Sequence, residues 1–105
     1  MPATLHIIDP PPVQGHPAAL TDDPGAMWRE PDWDVDGREG WAIVLPNHAG
    51  LFYTTMRAPD AEGKRILWDV TGTPPRITVS PSINAGDNPG VGNWHGHIND
   101  GVMTP

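Results

Sequence analysis

The alternation of hydrophobic and polar positions changes character near residue 40. After Gly40 the chain reads as short apolar or β-branched runs, each closed by a turn signal. "WAIVLP" (41–46) is an apolar run ended by a proline, "NHAG" is a turn, and "LFYTTM" (51–56) is rich in β-branched and aromatic residues. Together they predict a hairpin. "RAPDAEGK" predicts a loop, "RILWDV" (65–70) a third strand, "TGTPP" a turn and "RITVS" (76–80) a fourth strand. "NWHGHI" (93–98) predicts a fifth, and "DG" turns it into a last short piece, "VMT". On that fifth strand a period of two places Trp94, Gly96 and Ile98 on one face, toward a core, and His95 and His97 on the other.

Before Gly40 the apolar residues are too scattered to show a period of either 3.6 or 2. Half of the prolines lie here, and Pro10, Pro11 and Pro12 favour a stiff polyproline II segment. Residues 1–40 are therefore expected to form an extended Pro-rich arm, and 41–105 a small β-domain. "TLHII" is the one piece of the arm that could add to a sheet edge. Trp28 and Trp33 need something to pack on, so they either fold back or dock elsewhere, and in an arm they are expected to act as apolar anchors for a partner.

Composition supports this division. Fourteen Pro and twelve Gly in 105 residues leave little room for long helices, since Pro removes an amide donor and Gly carries an entropic cost inside regular elements. The expected fold is all-β, a small and mostly antiparallel sandwich or partly open barrel. A chain of this length buries only about 60–70% of its extended surface, so the core is expected to be thin.

Charge narrows the partners. The formal net charge is −7, of which −6 falls before Gly40, and no basic stripe with interleaved aromatics offsets it. A phosphate backbone would be repelled, so nucleic acid is not an expected partner. Cysteine is absent, which removes disulfides, thiolate nucleophiles and thiolate metal ligands and fits a reducing compartment. The first residues show no basic segment followed by an apolar run, and no apolar stretch approaches the roughly 18 residues of a membrane span.

Reactive side chains concentrate in "SPSINAGDNPGVGNWHGHINDG", residues 80–101. His95 and His97 could present two imidazoles to one metal, with a third ligand from His48, Asp87, Asp100 or a histidine of the arm; the alternative is two surface histidines on a strand. Ser80 or Ser82, His95 and Asp100 supply a nucleophile, a base and an orienting acid in order, while a serine beside a proline also commonly caps a turn. "NAGDNPGVGN" lacks the lysine and the following helix of a phosphate-binding loop, so it reads as a hairpin loop and no cofactor is expected. A loop of that length would return the chain antiparallel and bring Ser82 and His95 within reach.

"WDVTGTPPRITVSPSI", followed after a glycine-rich loop by "WHGHINDGVMTP", resembles a family of small β-rich proteins of largely unassigned function. That family is common in phages of actinobacteria and occurs in bacterial operons encoding ubiquitin-like conjugation enzymes. Its pattern falls here on Trp68, Pro75, Ile77, Pro81, Ser82, Ile83, His95, Asp100 and Gly101, within residues 40–105; "GWAIVLPN" and the following Thr-Thr look like the phage branch. The operon branch implies a peptidase with Ser82 as nucleophile and His95 as its base. The phage branch implies a minor structural component of the virion, most readily of the tail, made in the host cytoplasm and bound to other virion proteins. His97 falls where the pattern tolerates other residues.

Overall fold

The computed structural model describes residues 3–8, 23–59, 62–85 and 94–105, and within them the protein is all-β. One sheet has five strands. Its central members are β9 (Arg76–Ala85) and β10 (Trp94–Asn99), flanked by β8 (Asp69–Thr73) on one side and by β11 (Val102–Thr104) and then β1 (Ala3–Thr4) on the other. A second sheet has four strands in the order β2 (His6–Ile7), β3 (Ala26–Arg29), β4 (Trp41–Val44), β5 (Leu51–Tyr53). Every pairing is antiparallel except β2 with β3. A separate two-stranded ribbon joins β6 (Arg57–Pro59) to β7 (Arg65–Leu67).

The two sheets pack face to face because each has an apolar inner row set by the period of two. The four-stranded sheet contributes Met27, Ile43 and Phe52, and the five-stranded sheet contributes Ile77, Val79, Ile83, Trp94, Ile98 and Met103. Residues between these positions face outward: His95, His97 and Asn99 on β10 are exposed while Trp94, Gly96 and Ile98 are buried, as the alternation predicts. The hairpin of β4 and β5 is also as expected, with Ile43 opposite Phe52. A second apolar row, Ala26, Trp28, Ala42 and Val44, is buried on the other side of the four-stranded sheet.

The boundary expected near Gly40 does not divide the described residues. Ala3–Thr4 pairs with β11, His6–Ile7 pairs with β3, and Ala26–Arg29 pairs with β4. Leu5, between the first two strands, is 3% exposed and donates its N–H to the Gly101 carbonyl at 2.7 Å, so a few residues tie the edges of both sheets together. "TLHII" does add at sheet edges, at both of them. Strands this short carry no readable period, and tertiary pairing recruits them. Residues 30–40 are held by a polar clamp: Arg29 donates to both Asp34 carboxylate oxygens, at 2.6 and 2.9 Å, and the Gly40 N–H donates to Asp34 at 2.7 Å. The proline run at Pro10–Pro12, His16 and the loop with Asp87 lie outside the described residues.

Two other expectations need correction. The strand expected over 65–70 is two strands, because the chain leaves one partner and takes another at Trp68, whose ring packs edge-on against Phe52 with centroids 5.5 Å apart. The loop expected over 57–64 instead supplies β6.

Candidate functional site

Ser82 lies within strand β9, which runs on past Pro81 to Ala85, rather than in a turn after residue 80. The register explains its position. Ile83 faces Gly96 and Val79 faces Ile98, so four steps along β9 match two along β10. The excess falls on Ser80, Pro81 and Ser82. Pro81 has no N–H to give to a ladder, and in a central strand a proline is accommodated at a bulge. The bulge turns Ser82 toward β10, where its Oγ lies 3.4 Å from His95 Nε2. The antiparallel return across the glycine-rich loop thus brings these two residues together, as the spacing predicts.

Asp100 does not join them. It lies five residues beyond His95 along β10, about 16 Å at an extended rise. Its φ of +48° and that of Gly101, +78°, make the two-residue turn between the paired Asn99 and Val102. Both central residues of such a turn need positive φ, which Asp tolerates and Gly prefers. The Asp100 N–H donates to Thr78 Oγ1 at 3.0 Å, and the Gly101 N–H to the Ile77 carbonyl at 2.8 Å. Asp100 and Gly101 therefore form the turn between β10 and β11.

His97 shares the exposed face with His95 and sits opposite Thr104. Among the described residues no three His, Asp or Glu side chains converge to hold a metal ion. Trp28, expected as a partner anchor, is 3% exposed and donates its indole N–H to Glu30 at 2.7 Å, so it packs within the fold. Trp33 is 37% exposed and stacks on Tyr53 with centroids 4.1 Å apart and planes 5° from parallel. Burial, with Glu30 nearby, pushes the Tyr53 phenol above its ordinary value.

The sequence did not single out a cavity of about 560 Å³. It opens between edge strand β8 and the start of β4. Trp41, Val70 and Ile77 form its apolar wall, while Arg38, Glu39 and Asp69 supply charge. Arg38 reaches across to the Trp68 carbonyl at 3.0 Å, and Glu39 accepts the Trp41 indole N–H at 3.2 Å. Thr54 accepts the Trp41 N–H and donates to the Glu39 carbonyl, and Thr55 donates to the Trp33 carbonyl, so both hydroxyls serve the scaffold. Asp69 has no ion pair or hydrogen-bond partner for its carboxylate among the described residues. These residues come from segments 30 positions apart, and no motif spacing announces them.

No family model, curated protein or solved structure matches this chain.

Proposed function

We propose that the chain is a docking module of a multi-subunit particle: a minor structural protein of a phage virion, in the tail, that binds neighbouring virion proteins. The observation that carries this reading is the cavity beside β8, a strand that ends its sheet. An edge that is unpaired among the described residues, next to an apolar-walled cleft, is a surface on which another chain can add. The net charge of −7 fits protein partners better than nucleic acid, and the resemblance to the phage branch supplies the setting. Mass spectrometry of gradient-purified particles tests it. The chain should sediment with intact tails and stay with them after washing. Recovery only in the host lysate would refute the reading.

A second reading rests on the 3.4 Å approach of Ser82 to His95. It is a Ser-His hydrolase, in which the imidazole accepts the Ser82 proton as the hydroxyl attacks a carbonyl. A fluorophosphonate probe should then label the wild type and not Ser82→Ala or His95→Ala. An unlabelled wild type would leave the pair a surface contact.

A further inference from the structure

We infer that the cleft beside β8 binds an extended peptide that alternates basic and apolar residues, added to the sheet as a sixth strand. This rests on the docking reading and names its partner. Four consecutive residues of β8, Asp69 to Gly72, line the cleft, so the outer edge of the strand borders it. Among the described residues the β8 ladder runs to β9 alone, from Asp69 opposite Ser80 to Thr73 opposite Arg76. An added strand would complete the other side with main-chain hydrogen bonds.

The edge available is short. Gly72 has a φ of +90°, which interrupts the regular extended backbone that an added strand would pair with, and a Cβ there would meet the Arg76 carbonyl. Open pairing is thus confined to Asp69, Val70 and Thr71, and most of the recognition must come from the pocket. About 560 Å³ holds one or two large side chains, and Trp41, Val70 and Ile77 make their surroundings apolar. Since alternate residues of a strand point the same way, one set of peptide side chains enters this wall and the other faces the rim.

Charge decides what the rim accepts. Of the charged residues that line the cleft, Glu39 lies 3.7 Å from Arg29 Nε and accepts the Trp41 indole N–H, and the Arg38 guanidinium donates to the Trp68 carbonyl. Asp69, exposed and unpaired among the described residues, is the open acceptor, and the flanking segment before Gly40 carries most of the net negative charge. A lysine or arginine on the peptide would pair with Asp69.

The probe is a fluorescein-labelled peptide of alternating lysine and valine, read by anisotropy, with backbone amide shifts followed by NMR on the full chain. Saturable binding is expected, weakening with added salt and about tenfold in Asp69→Lys. Asp69→Asn should weaken it less, and amide shifts should cluster at 38–41 and 69–72. Asp69 is exposed, so both variants should keep the wild-type spectrum elsewhere. Equal binding of a glutamate-valine peptide, shifts confined to the His95 face, or no saturable binding would each overturn the inference. Particle recovery separates it from the reading beneath it. A chain found in particles that does not bind the peptide sinks this inference alone. A chain that binds the peptide but is absent from particles sinks the virion setting and leaves the cleft.

Discussion

Pro81 carries more of the local architecture than its chemistry suggests. Placed in a strand with neighbours on both sides, it has no N–H to give to the ladder, and the bulge at this position sets Ser82 against His95. Gly96 is the other fixed point: a Cβ there would collide with the Thr104 carbonyl and with the ring of Trp94 lying over it. Gly96→Ala is therefore expected to cost about 1–3 kcal/mol, measured by urea denaturation, as overpacking of a buried site does. Asp100 separates its two readings by substitution. Asn adopts positive φ as readily as Asp, so Asp100→Asn should shift stability by less than about 0.5 kcal/mol and leave any Ser82 labelling intact. Asp100→Val should lower stability by about 1–2 kcal/mol, because a β-branched residue resists that conformation. Labelling lost in Asp100→Asn would return the residue to a catalytic role.

At the scale of elements, the short strands β1 and β2 act as a strap across both sheets. His6 holds its end. One ring nitrogen lies 2.9 Å from the Thr4 carbonyl and the other 3.1 Å from both Asp23 oxygens. The backbone contact first and Asp23 second raise the His6 pKa above 6.5. A raised folded-state pKa contributes stability that is fully present below about pH 6.5 and lost as pH rises through the folded value. The thermal midpoint of wild type relative to His6→Gln should thus be greatest at mildly acidic pH and shrink toward neutrality and above. The Arg29–Asp34 clamp has the opposite sign. Arg29 and the Gly40 N–H hold the Asp34 carboxyl at about 2, against an ordinary 3.8, so its contribution is present above pH 3.8 and lost as pH falls through about 2. Removal of residues 1–39 takes away β1, β2 and β3, and with them Leu5 and Met27 from the core. The remainder should lose its cooperative unfolding transition and near-UV circular dichroism; a truncated chain that still unfolds cooperatively would show that the strap and β3 are dispensable.

For the whole molecule, the thin core makes each inner-row residue count. Ile43→Ala, at a fully buried position between the sheets, should cost about 2–5 kcal/mol and threaten the fold of so small a domain. The all-β class, the β4–β5 hairpin, the two faces of β10 and the Asp-Gly turn were legible in the sequence because each depends on local rules: proline and glycine frequency, alternation, and the φ a turn requires. The pairing of Ser82 with His95 was also in reach, since an antiparallel return across a loop places strand ends side by side. Other features had no local signature. Ala26–Arg29 became a buried strand, and Trp28 an interior residue, only because β4 offered a ladder and an apolar face. Asp100 shares the region of His95 in sequence, and the rise of an extended strand carries it out of reach. The cleft beside β8 is built by Arg38, Trp41, Val70 and Ile77 from separate segments whose meeting depends on how two sheets stack. Alternation and turn chemistry are properties of a few neighbouring residues, so the chain determines them by itself. Which edge stays open, and which side chains surround it, follow from contacts between distant residues, and those only the tertiary structure decides.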